Sequence, residues 1–150
     1  MPKITAEEFP ALKAFFVAWW ERFPVEIEMP AEHRPVAVLE RFEKESMSKA
    51  RSGLGMAISD TLEMSWDMPR EEIEAVDTDF VARGILPLSE LRRRYSRQYR
   101  AILKRGRIRD EEDYYLVTGI LASFTGDATD EERRQLEGLV AKFEGDSGTN

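Results

Sequence analysis

Between Arg92 and Arg109 the chain carries nine lysines and arginines and no acidic residue. Such a run cannot be buried without partners, because an unpaired cation in an apolar interior costs more than packing returns. It therefore forms a surface element with one apolar side, or it meets carboxylates from elsewhere in the chain. The chain as a whole has 22 basic and 29 acidic residues, so everything outside this segment holds 13 basic against 29 acidic residues. A strongly basic segment sits in a strongly acidic body.

Read at helical periodicity, Leu88, Leu91, Tyr95, Tyr99 and Ile102 fall on one side of a single helix over 89–105. Arg93, Arg97, Arg100 and Lys104 form a continuous basic stripe on the other side, with Arg92 and Arg94 beside it. These four are the candidate binding residues. Pro87 and Ser89 open the helix, and Gly106 closes it in the left-handed C-terminal position.

The same punctuation recurs along the chain. Thr5 to Glu8 and Thr129 to Glu132 both read T-x-x-E, the capping box that opens a helix. After the first, Phe9, Leu12, Phe16, Trp19, Trp20 and Phe23 make a dense aromatic stripe ended by Pro24. The stripe reads as the main core element, with an aromatic groove or dimer face as the alternative. Residues 25–32 form an extended connector confined by Pro24, Pro30 and Pro35. Pro35 suits the first turn of a second helix carrying Val36, Leu39 and Phe42. A third runs from about Ser46 to Trp66, with Met47, Ala50, Leu54, Ala57, Ile58 and Leu62 inward. Its Gly53 and Gly55 mark close approach of another helix, or a break between two shorter ones. Asp67 and Pro69 open a fourth helix, ending at Gly84, with Ile73, Val76 and Phe80 as its apolar side. Its many carboxylates make it the internal counterpart of the arginine stripe, with Glu131 and Glu132 as the alternative partners.

Lys104 and Arg105 complement a negative helix end, and Asp110–Asp113 complement the positive start of the next helix. Residues 106–117, GRIRDEEDYYLV, thus read as a tight helical hairpin with Ile108 folding back. Over this dozen residues the chain resembles the turn of the short helical-hairpin oligomerisation domains of the SHOCT type, although a further helix follows here. Tyr114, Tyr115, Val117, Thr118 and Leu121 carry the sixth helix. Ser123–Ala128 is a loop, and the last helix runs through Leu136, Leu139, Val140 and Phe143. The pattern predicts an all-α fold with orthogonal or bundle-like packing of about six or seven helices in a single compact domain. That domain spans residues 1–144, with a flexible tail at 145–150.

Several chemistries find no support. There is no cysteine, so thiol nucleophiles, disulfides and cysteine metal sites are absent. His33 is the only histidine and has no metal-ligand spacing around it. Asp77-Thr78-Asp79 starts like a calcium loop, but Ala82 and Leu88 stand where glycine and the last carboxylate belong. Gly53-x-Gly55 follows no strand and lacks the rest of a phosphate loop. Asp110–Asp113 answer to the helix dipole before they answer to a cation. No catalytic residue, metal or cofactor is assigned, and no apolar run reaches the roughly 20 residues of a membrane span.

The expectation is a small, non-enzymatic, cytoplasmic protein-binding module: an adaptor, an antitoxin- or immunity-like neutraliser, or a self-associating regulator. Its acidic body suits a basic partner. The alternative is a nucleic-acid-binding regulator using the basic helix, disfavoured because the adjoining DEED start would face phosphates. A carboxylate-based hydrolase is a distant third.

Overall fold

The computed structural model describes residues 3–122 and 129–148. Among them lie eight α-helices, one short 3-10 turn at Ala31–His33, and no strand. The all-α class read from the periodicity is the class observed. The chain gathers into two compact units. One comprises the chain up to Asp67 together with Asp79–Leu86, and the other Met68–Thr78 together with the chain from Pro87 on.

In the first unit, α1 (Phe9–Arg22) opens on a reciprocal capping box. The Glu8 amide donates to Thr5 Oγ1 at 3.2 Å, and the Thr5 amide donates to Glu8 Oε1 at 3.2 Å. Ile4 and Phe9, at the positions of a hydrophobic staple, are both buried. Phe9, Leu12, Phe15, Phe16, Ala18 and Trp19 form the buried side of α1. Phe15 is a core residue that the stripe did not include. Its ring meets Phe80 edge-on at 5.5 Å and stacks on Trp19 at 5.8 Å. Trp20, in contrast, is only half-buried.

Pro35 begins α2 (Pro35–Glu45), after Arg34 in the extended conformation that a following proline favours. Ser46 alone separates α2 from α3 (Met47–Met64), and its Oγ caps α3 by accepting the Lys49 amide at 3.3 Å. The two form a helical hairpin in which Leu39, Ala50, Leu54 and Ile58 face inward. Met47, expected inward, is 48% exposed, because the buried face of α3 begins at Ala50. No break occurs at Gly53. A Cβ there would lie 3.0 Å from the Phe42 ring, so glycine is what lets α2 and α3 approach at this level.

The fourth helix, α4 (Arg70–Ala82), starts where the Pro69 carbonyl accepts the amides of Glu72 and Ile73. It supplies Val76 to the second unit and Phe80 to the first, both fully buried. Gly84 then turns left-handed (φ 74°), and the Ile85 amide donates back to the Phe80 carbonyl at 2.8 Å.

The second unit departs from expectation at one residue. The basic segment is two helices, α5 (Leu88–Tyr95) and α6 (Arg97–Arg105), with Ser96 extended between them. Ser96 Oγ accepts the Tyr99 amide at 3.2 Å, so a serine that offers its own side chain to the backbone starts a new helix. This split accounts for the eighth helix. Gly106 (φ 76°) closes α6, its amide donating to the Ile102 carbonyl at 2.9 Å. After it come α7 (Glu111–Ala122) and α8 (Asp130–Gly148). Tyr99, Ile102, Ile108, Leu116, Val117, Ile120, Leu136 and Leu139 build this unit's core, with Tyr114 and Phe143 stacked at 5.2 Å beside it. On α7 the buried face is Asp113, Leu116, Val117 and Ile120, and Tyr115 is 52% exposed, so the helix is turned from the orientation expected of it. The loop assigned to Ser123–Ala128 lies outside the described residues. The last helix continues through Gly145 to Gly148, while Thr149 and Asn150 lie outside the described residues.

Candidate functional site

In the first unit three helices enclose an open groove of about 670 Å³. Each contributes residues at helical spacing. Phe16 and Trp20 come from α1; Pro35, Val38, Leu39 and Phe42 from α2; Gly53, Leu54, Ala57, Asp60, Thr61 and Met64 from α3, joined by Glu63. The volume lies within the range of ligand and side-chain binding pockets, and the lining is mostly apolar. Thr61 is no free polar group, because its hydroxyl donates to the Ala57 carbonyl at 2.9 Å. The charged residues of the lining are two carboxylates, Asp60 and Glu63, and neither forms an ion pair among the described residues. Lys49 lies 4.6 Å over the Phe42 ring and pairs with Glu45 at 2.6 Å, outside the lining.

Trp20, read as core from its place in the aromatic stripe, belongs to this groove. Its ring meets Phe16 edge-on at 6.4 Å, and its indole N–H is buried without an acceptor among the described residues. An unsatisfied buried donor carries a desolvation cost of about 1–3 kcal/mol. The aromatic groove, the alternative reading of the stripe, is thus present at its Phe16–Trp20 edge.

The basic stripe does not exist as one surface. Arg93 is on α5 and faces inward: it donates to Glu90 Oε1 at 2.6 Å and to Glu132 Oε2 at 3.1 Å. The hydrogen bond from Arg93 to Glu90 holds the guanidinium above its usual pKa, against the opposing effect of burial. Arg94 donates to the same Glu90 oxygen at 2.9 Å. Arg97, Arg100 and Lys104 do share one exposed face of α6. Arg100 donates to the Arg94 carbonyl at 3.0 Å, and Arg97 and Lys104 form no ion pair among the described residues. The structure therefore brings three of the four candidates together and takes Arg93 away.

Internal pairing goes further than the stripe. Three carboxylates of the second unit, Asp77, Glu90 and Asp113, are buried. Asp113 accepts from Arg105 Nη2 at 2.7 Å, from Gln98 at 3.0 Å and from the Arg109 amide at 3.1 Å. Asp77 accepts the Ser89 amide and hydroxyl, and its charge opposes the lowering of the Arg92 pKa that burial causes. Of the acidic α4, the buried Asp77 is thus the carboxylate that serves the basic segment in this way, while Glu74 pairs with its own neighbour Arg70. The second capping box is also diverted. Thr129 Oγ1 accepts the Glu132 amide at 3.1 Å, but the Glu132 carboxylate serves Arg93 and accepts the Tyr99 hydroxyl at 2.8 Å. Burial, then Glu132, pushes the Tyr99 hydroxyl well above the ordinary tyrosine pKa.

No family model, curated protein or solved structure matches the chain. Among the described residues, no three histidine, aspartate or glutamate side chains converge as metal ligands, and no helix is long and apolar enough to cross a membrane. The groove was the part least visible in the sequence. Ala57, Asp60, Thr61 and Met64 look like one more flank of a packed helix, and only the spacing of Phe16 and Trp20 hinted at an open face.

Proposed function

We propose that this chain is a non-enzymatic cytoplasmic protein-binding module whose recognition surface is the groove of α1, α2 and α3. The observation that carries the reading is an apolar, open concavity of about 670 Å³ lined by helix faces. Grooves of this kind receive the apolar side of an amphipathic helix, whose side chains at helical spacing fill them. Met64 at the groove and Trp66 just beyond it are 57% and 54% exposed, and a flexible methionine adapts to a partner's shape. An adaptor or a neutraliser of another protein needs no more machinery than this. The test is selection from a displayed library of helical peptides against the whole chain. Recovered binders should share apolar residues at helical spacing and lose binding to Ala57→Trp, which fills the groove, and to Val38→Glu, which charges it. Binders indifferent to both variants, with circular dichroism unchanged, would remove the groove from consideration.

A second reading rests on the exposed face of α6. Arg97, Arg100 and Lys104 present three cations of the kind that track phosphates in nucleic-acid-binding proteins. Duplex and single-stranded probes titrated at two salt concentrations decide it. Three phosphate contacts would give a log–log salt slope of about −2.7 on duplex DNA, from about −0.9 per phosphate.

A further inference from the structure

We infer that the groove selects a cationic amphipathic helix, with lysine or arginine beside its apolar face meeting Asp60 and Glu63. The inference rests on the groove being a docking surface and adds the chemistry of the occupant. Three features concentrate negative potential at the α3 side of the groove. Asp60 and Glu63 are one helical turn apart, and like charges so placed on a helix repel. No basic residue lies at helical spacing from either: their neighbours three and four positions away, apart from each other, are Met56, Ala57, Ser59, Met64, Trp66 and Asp67. Both also lie towards the C-terminal end of α3, where the helix dipole already presents partial negative charge. Helices α1, α2, α5 and α6 each carry a basic residue in the last turn, as the dipole favours; α3 is one of four helices that carry none.

Four other acids of this unit are neutralised from within. Glu43 pairs with Lys13, Glu45 with Lys49, Glu21 with Arg83, and Asp79 with Arg22. The two at the groove are left with the charge of the helix end and with each other. A cation brought in by a docked helix relieves these unfavourable contacts together. The Trp20 ring at the groove adds further attraction for a guanidinium or ammonium group. An anionic helix meets the same field with the opposite sign.

The experiment uses three synthetic peptides with one leucine face and lysine, glutamine or glutamate at the flanking positions. Each is titrated against the whole chain by calorimetry. The lysine peptide should bind about tenfold more tightly than the glutamine one, as expected of two exposed ion pairs, and the glutamate peptide most weakly. In the Asp60→Asn, Glu63→Gln double variant the lysine advantage should fall to about twofold, within what such pairs leave behind. The control Glu26→Gln, Glu28→Gln removes the same charge from exposed positions outside the groove and should keep the advantage. If the three peptides bind alike, and Ala57→Trp abolishes all of them, the charge inference is overturned while the groove stands. If the control loses the advantage as fully as the groove variant, net charge is the cause and the inference falls. If no peptide binds at millimolar concentration, the groove reading and the inference fall together.

Discussion

The two units treat charge in opposite ways. In the second, Asp77, Glu90 and Asp113 are buried and the arginines around them turn inward to meet them. In the first, the core is aromatic and aliphatic, and the carboxylates at its groove have no cation of their own among the described residues. The basic segment that dominates the sequence is therefore largely structural in its α5 half, where three successive arginines serve buried or half-buried acids. The lesson is that a charge run announces where charge is, and only its partners show whether it is available. Function is better sought where charge is left over.

The sharpest way to break this comparison is to remove a buried acid. Asp113→Ala strands Arg105, Gln98 and a backbone amide, and should destabilise by about 3–5 kcal/mol in urea titration, the range for breaking a buried pair. A loss near 1 kcal/mol, the worth of an exposed pair, would mean that the second unit is not organised around its ionic contacts.

Charge reversal within the basic segment comes next. Arg93→Glu sets a carboxylate against Glu90 and Glu132 and should cost about 3–5 kcal/mol, again as a disrupted buried pair. Arg97→Glu should stay within about 0.5 kcal/mol, as exposed substitutions do. Equal effects at the two positions would restore the single stripe.

The first unit offers a contrast between neighbours. Trp19→Ala should cost about 3–5 kcal/mol, as for a buried aromatic side chain. Trp20→Ala, half-buried at the groove, should cost no more than about 1.5–3 kcal/mol. Trp20→Phe should be close to neutral, because it also removes an indole N–H with no acceptor among the described residues. Matching losses for Trp19→Ala and Trp20→Ala would return Trp20 to the core.

The smallest expected effect is a pH dependence. The raised pKa of Tyr99 means that its contribution to stability is present in full below the ordinary tyrosine value of about 10. It is lost as pH climbs from there through the higher native value, because the unfolded chain sheds its proton first. Urea midpoints between pH ~9 and ~11, spanning that ordinary value, should fall more steeply for the native chain than for Tyr99→Phe. Parallel slopes would show that the Tyr99–Glu132 contact does not differ between folded and unfolded states.

How much of this was legible follows the range of the forces involved. Helix class and most helix ends were readable because caps act locally: Thr5 with Glu8, Ser46 with Lys49, Gly106 with Ile102. The break at Ser96 is also local. It was hidden because the arginines on either side keep helical spacing, and because serine is tolerated in helices as well as at their starts. Arg93 was misplaced for the same reason, since a periodicity carried across a break assigns the wrong face. The groove depends on α1, α2 and α3 meeting without filling the space between them. Nothing in the spacing of Ala57, Thr61 and Met64 distinguishes an open face from a packed one. Glu132 shows the remaining gap: it was legible as a partner for the arginine stripe, which Arg93 bears out, while its bond from the Tyr99 hydroxyl was not.

The two units are interleaved along the chain, and this has a consequence for how the protein is made. The first unit needs Asp79–Leu86 to place Phe80 against Phe15, yet Met68–Thr78 already belongs to the second. During synthesis the aromatic core therefore stays incomplete until Leu86 has left the ribosome, by which time part of the next unit has emerged. No single cut releases both units whole. A chain truncated after Asp67 exposes the face of Phe15 that Phe80 covers, and one beginning at Pro87 lacks both Val76 and the buried Asp77. The smallest stretch that carries either unit complete, 1–86 or 68–150, is more than half of the chain.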